Sequence, residues 1–158
     1  MISIGKSPKL NFKVDALMAG RVVQTDFAGL LDGPCVVSVY MRNNTSACDK
    51  QAAELGKVMQ TIGRKGFKLI AVSRDKISSH EKYAAKHGYK FTLVADPEDL
   101  FSKAVDGMVE KSMYGKKYLG PARAAYVLDA KGRLVGAVPK VDAAEHGKQL
   151  LTALAALK

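Results

Sequence analysis

The chain has 158 residues, 47% hydrophobic and 25% charged, with 25 basic against 15 acidic side chains and a net charge of +10 at pH 7. That balance fits one soluble globular domain, 1–158, and excludes disordered, collagenous and membrane-spanning classes. The longest nearly apolar run, Cys35 to Met41, is seven residues broken by Ser38, far below the ~20 that a membrane helix needs. The basic excess is spread evenly along the chain with no polybasic arm, so no specific nucleic-acid partner is expected. Two cysteines cannot staple a secreted scaffold, and the first residues carry no apolar signal block, so a cytoplasmic location is expected.

In chain order, Val36 to Met41 reads as a buried strand because it is short and β-branched. A helix starting near Cys48 follows, with Ala52, Leu55, Val58, Met59 and Ile62 on one face and Ser46 with Asp49 as a capping pair. Lys68 to Ser73 is the next strand, and Ser78 with Glu81 opens a helix that Gly88 closes. Phe91 to Ala95 forms a short strand before Asp96-Pro97-Glu98, where Asp96 caps a helix running to about Ala104. Ala124 to Leu128 and Arg133 to Val138 flank the turn residues Asp129 to Gly132 as a hairpin. A last helix is expected over Asp142 to Leu157, with Asp142 and Glu145 as its capping pair. This order predicts an α/β, thioredoxin-like fold, a mixed central sheet flanked by helices on both faces.

Right-handed crossovers put the end of the Val36 to Met41 strand and the start of the next helix at one rim of the sheet, where open α/β folds carry their chemistry. Cys48 falls there, in the first helical turn. Free backbone N–H groups and the helix dipole favour a thiolate at such a place, below the free thiol value of about 8.5. Position alone leaves two readings open, a reactive thiol and a small buried hydrophobe.

Several segments bear on that choice. Ile70-Ala-Val-Ser-Arg-Asp75, Ser79-His80, Ala85-Lys-His-Gly88, Val94-Ala-Asp-Pro97, Met113-Tyr-Gly-Lys116 and Gly120-Pro-Ala-Arg123 succeed one another along nearly the whole chain. In order and spacing they resemble the peroxiredoxins, of the bacterioferritin comigratory protein or peroxiredoxin Q type. That family's pattern Pro-x-x-x-Thr/Ser-x-x-Cys appears here as Met41-Arg-Asn-Asn-Thr45-Ser-Ala-Cys48, with Thr and Cys matching and Met41 in place of Pro. The resemblance implies a thiol peroxidase, without cofactor, acting on hydrogen peroxide and organic hydroperoxides. Cys48 would be the peroxidatic cysteine, Thr45 a hydrogen-bonding partner of the peroxide, and Arg123 the cation that holds the thiolate and polarises the O–O bond. Met41, Ala47, Tyr40 and Tyr114 are expected to line the substrate pocket.

Three departures carry weight. Met41 is larger and more flexible than proline, so the pocket is expected to be looser or differently gated. Asp49 suits the helix dipole but repels a neighbouring thiolate. The family's two usual resolving positions fall at Ala53 and Ala84, so no resolving cysteine is expected there. Cys35 opens the strand that ends at the site, on the order of 15 Å away at about 3.3 Å per residue, beyond the ~7 Å between Cα atoms that a disulfide spans. A one-cysteine cycle follows, reduced by an external thiol such as thioredoxin, glutaredoxin or a small thiol. His80, His87 and His146 lack ligand spacing and read as surface histidines, so no metal is expected. By resemblance the chain is a monomer. A peroxide sensor or thiol-bearing binding protein with little turnover is the rival reading, and a disulfide oxidoreductase is disfavoured because no Cys-x-x-Cys is present.

Overall fold

The computed structural model describes residues 1–157; Lys158, the end of the expected domain, lies outside them. The chain enters through a hairpin, β1 (Lys13–Met18) and β2 (Arg21–Asp26), which is not among the expected elements. Ala19 and Gly20 at its tip both take positive φ, the backbone twist that two-residue hairpin turns require. A 3-10 turn over Phe27–Leu30 leads to β3 (Cys35–Val39), α1 (Ser46–Arg64), β4 (Lys68–Ser73), α2 (Ile77–His87) and β5 (Thr92–Ala95). This is the expected β-α-β-α-β run, with β3, β4 and β5 paired in parallel. Then come α3 (Leu100–Ala104), a hairpin of β6 (Met108–Met113) and β7 (Lys116–Pro121), the strands β8 (Ala125–Leu128) and β9 (Leu134–Val138), and α4 (His146–Ala155).

Seven strands form one mixed sheet in the order β2-β1-β5-β4-β3-β8-β9, while β6 and β7 make a separate two-stranded ribbon. Strand periodicity divides the interior in two. Cys35, Val37 and Val39 face a core shared with Ile70, Val72, Phe27, Phe101 and Tyr126. Val36 and Tyr40 face the other core, with Leu55 and Ile62 of α1, Ala84 of α2 and Leu150 and Leu154 of α4. Each fully buried Leu or Ile contributes about 1.5–3 kcal/mol, so these faces clamp α1 and α4 on the sheet.

Local signals shifted more than the elements did. Thr45, not Ser46, precedes α1, and Lys76, not Ser78, precedes α2; neither makes a side-chain cap. Gly88 closes α2 as expected, in the left-handed conformation at φ 71°. Asp96 does cap, its carboxylate accepting from the N–H groups of Leu100 and Phe101 at 2.9 Å each, but Pro97 to Asp99 form a turn before the shorter α3. Asp142 caps a 3-10 turn over Ala143–Glu145, and α4 begins only at His146.

Candidate active site

β3 delivers the site. Tyr40 N–H still donates to Val72 O (3.0 Å), and then the chain leaves the sheet through Met41 to Asn44. Asn43 fastens this loop: its N–H donates to Asp75 Oδ2 (2.9 Å), and its Nδ2 donates to Ser79 Oγ (3.1 Å) and His80 Nδ1 (3.2 Å). Its Oδ1 accepts from the Tyr40 hydroxyl. Because Nδ1 of His80 accepts, the ring proton sits on Nε2, which donates to Val94 O at 3.0 Å. Asn44 takes φ 64°, and Thr45 in extended backbone starts α1. Cys48 lies in the first turn, only 1% exposed.

Arg123, just ahead of β8, reaches across to it. One nitrogen, Nη1, donates to Cys48 Sγ at 3.3 Å and to Gln51 Oε1 at 2.9 Å. Gln51, one helical turn past Cys48, is fully buried, and its Nε2 donates to Ser38 Oγ (2.9 Å) and Val39 O (3.1 Å). Burial alone would raise the Cys48 thiol. Thr45, the Arg42 and Met41 amides and Arg123 outweigh it and hold the thiol below its ordinary value. The Thr45 hydroxyl also reaches Arg42 O (3.0 Å), so that carbonyl competes with the sulfur for its single hydrogen, and Thr45 favours the thiolate only when the hydrogen is turned to Cys48.

Other expected site residues divide. Met41 is at the site, half-buried, with Lys111 Nζ of β6 donating to its Sδ at 2.9 Å. Burial and the nearby Arg123 charge lower Lys111 from the ordinary lysine value. Ala47 is exposed beside the cysteine. Tyr40 is buried under the loop with its hydroxyl committed to Asn43, so it offers packing and no free donor. Asp49 is no capping partner of Ser46: its Oδ1 accepts from Asn44 N–H (3.1 Å) and from the Tyr83 hydroxyl (2.6 Å).

Tyr114 does not line the pocket. It is 97% exposed, and with Gly115 it forms the positive-φ tip of the β6–β7 ribbon, which carries it into solvent together with Met113. Two of the three histidines are also corrected. His87 is exposed, stacked on Tyr89, but His80 and His146 are fully buried. His80 lies on the inner side of α2. His146, the first residue of α4, is turned inward, and its Nε2 lies 2.8 Å from Ser38 Oγ. Burial pushes the His146 ring down to about 4, Gln149 and Glu54 opposing and Arg123 assisting. Among the described residues, no three His, Cys, Asp or Glu side chains gather as metal ligands would, and no helix is long and apolar enough to cross a membrane.

Sequence reasoning missed Gln51, Ser38 and Lys111. Gln51 carried a usable signal, the three-residue spacing that puts it beside Cys48 on one helix face. Nothing in the local pattern marked the other two.

The profile of the AhpC/TSA family matches residues 6–137. The peroxiredoxin Bcp of Xanthomonas campestris pv. campestris is 35% identical over 121 residues, 77% of this chain and 76% of that protein. The Bacillus subtilis peroxiredoxin Bcp is 30% identical over 155 residues, 97% and 95% of the two chains. Among solved structures, a Xanthomonas campestris bacterioferritin comigratory protein, described for its alkyl peroxide reduction, superposes with a TM-score of 0.84 at 29% identity over 96% of both chains. A Xylella fastidiosa PrxQ superposes at 0.85 with 25% identity, over 99% of this chain and 97% of that one.

Proposed function

The chain belongs to the AhpC/TSA family and is a peroxiredoxin, a thiol peroxidase, and from that premise we propose that Cys48 is its peroxidatic cysteine and Arg123 the activating cation. One observation carries the assignment: Arg123 Nη1 stands 3.3 Å from Cys48 Sγ in the first turn of α1. The Cys48 thiolate attacks the nearer oxygen of hydrogen peroxide or an organic hydroperoxide. A sulfur–oxygen bond forms as the O–O bond breaks, and the departing oxygen takes a proton from solvent and leaves as water or alcohol. Negative charge moves from sulfur to the leaving oxygen during this step, and the fixed guanidinium stabilises both ends of the transfer. Thr45 Oγ1 keeps lone pairs free to accept the peroxide's own hydrogen. Met41 and Ala47 border the approach, and Lys111 supplies a second positive charge at its edge.

The cycle closes through a one-cysteine route. Cys35 belongs to the core on the opposite face of the sheet, and its thiol is pushed up to about 12, chiefly by burial. Ala53 and Ala84 hold no thiol. An external thiol therefore condenses with the sulfenic acid, releasing water, and a second thiol frees Cys48 by exchange. The reductant class is thioredoxin, glutaredoxin or a small thiol. We assign the whole chain to one monomeric, cytoplasmic unit. A sensor with little turnover is the second reading, and the near-complete burial of Cys48, which shields its sulfenic acid from a bulky reductant, is what favours it.

Intact mass after one equivalent of hydrogen peroxide, with a sulfenic-acid trap and peptide mapping, tests the assignment. The expected adduct is on Cys48, absent in Cys48→Ser and slowed about 10²-fold in Arg123→Ala. Loss of two hydrogens mapped to a Cys35–Cys48 link overturns the one-cysteine route. Steady turnover with a reductant excludes the sensor.

A further inference from the structure

Behind the guanidinium, the hydrogen bonds continue to a residue that the peroxidase chemistry does not touch. Gln51 can stand only one way round: Oε1 must face Arg123, which only donates, and Nε2 must face the Val39 carbonyl, which only accepts. The second hydrogen of Nε2 then goes to Ser38 Oγ, which in turn meets His146 Nε2 at 2.8 Å. Ser38, Gln51 and His146 are each fully buried, in a core otherwise made of Val36, Tyr40, Leu55 and Leu150. Apolar side chains would fill that space without the desolvation cost that three polar groups bring.

The backbone is arranged to admit the imidazole. Gly147, the residue after His146, donates its N–H to Glu54 Oε1 of α1 at 3.3 Å. A Cβ on Gly147 would stand 2.8 Å from Val58 Cγ1, so only glycine lets α4 begin this close to α1. The charged groups facing the ring are Glu54 of α1 and Arg123 ahead of β8, with the neutral Gln149 on α4 itself, and Nδ1 has no hydrogen-bond partner. A neutral ring suits such a place, since burial and the Arg123 charge disfavour a second ring proton more than Gln149 and Glu54 favour it.

We propose that Ser38 and His146 are positioning residues of the peroxidase site, which hold Gln51 and, through it, Arg123 Nη1 against Cys48 Sγ. The inference rests on the reading of Cys48 as peroxidatic cysteine and Arg123 as its activator. Without the Ser38 acceptor, Gln51 keeps only Val39 O, its amide gains freedom to turn, and the guanidinium loses the oxygen that fixes it one helical turn from the sulfur.

The test measures the second-order rate of Cys48 oxidation by hydrogen peroxide and the thiolate absorbance near 240 nm against pH, in Ser38→Ala, His146→Phe and His146→Gln. Ser38→Ala and His146→Phe should each slow oxidation about tenfold, short of the roughly 10² expected for deleting a direct donor, and move the thiolate titration upward. His146→Gln, whose amide can reach Ser38, should recover most of both. A double-mutant cycle decides the route: in an Arg123→Ala background, Ser38→Ala should have almost no further effect. An equal slowing in that background, or folded variants that match the parent in rate and titration, overturns the inference alone. If Cys48 of the parent reacts no faster than a cysteine peptide, the peroxidase assignment fails and this inference fails with it. Should His146→Phe not fold, Ser38→Ala and its cycle decide between the same outcomes.

Discussion

The two cysteines are equally hidden, Cys35 at 0% exposure and Cys48 at 1%, but they lie on opposite faces of one sheet, and their chemistry diverges. On the Cys35 side the core holds Val37, Ile70, Phe27, Phe101 and Leu128, and desolvation, with Asp32 adding to it, outweighs the opposing Lys68 charge and drives the thiol up to about 12. On the Cys48 side the same desolvation is overcome by Thr45, backbone amides and Arg123. Burial therefore sets only the starting point of a thiol's acidity. The donors aimed at the sulfur decide its sign.

The sharpest way to break this contrast is to exchange the cysteines one at a time. Cys48→Ser should reduce peroxide consumption with a thiol reductant to background, while Cys35→Ser leaves the rate at the parent's value; a steady-state assay would show it. A rate lost with Cys35 instead would mean that the apolar face takes part in turnover. Alkylation of the two thiols against pH gives the next effect. Cys48 should level off at a lower pH than a free cysteine does, whereas Cys35 should still be gaining reactivity as pH approaches 12.

Stability should show the same division, with opposite signs. His146 has a folded value of about 4, below its ordinary 6.5, so the unfolded chain takes the proton first as pH falls. Its contribution is complete above pH 6.5 and is lost between 6.5 and about 4, a change of about 3 kcal/mol. Urea melts of the parent against His146→Gln should differ in that window and converge in slope outside it. Cys35 has the raised value, so its contribution is complete below the free thiol value and fades as pH rises from there towards 12. Cys35→Ala should remove that alkaline loss. The smallest effect is expected from Ile70→Val, which costs about 1 kcal/mol in urea by trimming the apolar core and leaves Cys48 oxidation untouched.

What can be read from the sequence follows the same line between patterned and solitary residues. Strands β3, β4 and β5 and the helices between them announce themselves through repeated apolar spacing, and Cys48 and Arg123 through a motif shared with a family. The β6–β7 ribbon is mostly exposed on both faces, so it has no burial period to read, and family resemblance points Tyr114 at the pocket where the turn chemistry of Tyr114-Gly115 places it in solvent. Ser38 reads as an interruption of an apolar run; it is the acceptor for Gln51. His146 reads as a surface residue because its spacing from the other histidines forms no ligand pair, and the capping pair Asp142 and Glu145 suggests a helix that starts four residues earlier. A 3-10 turn stands in their place, α4 begins at His146, and the imidazole is buried.

The close seat of Gly147 on α1 bears on how the molecule behaves over time. A helix that had to deliver its sulfur to a distant thiol would need to fray at every turnover, and a neighbour wedged against Val58 and Glu54 would resist that fraying. On the proposed one-cysteine route no thiol of this chain has to reach Cys48, and α1 stays wound from Ser46 to Arg64 in the reduced and the sulfenic forms alike. Its amide hydrogens should therefore exchange equally slowly in both, and the enzyme should cycle as a rigid body whose moving part is the reductant.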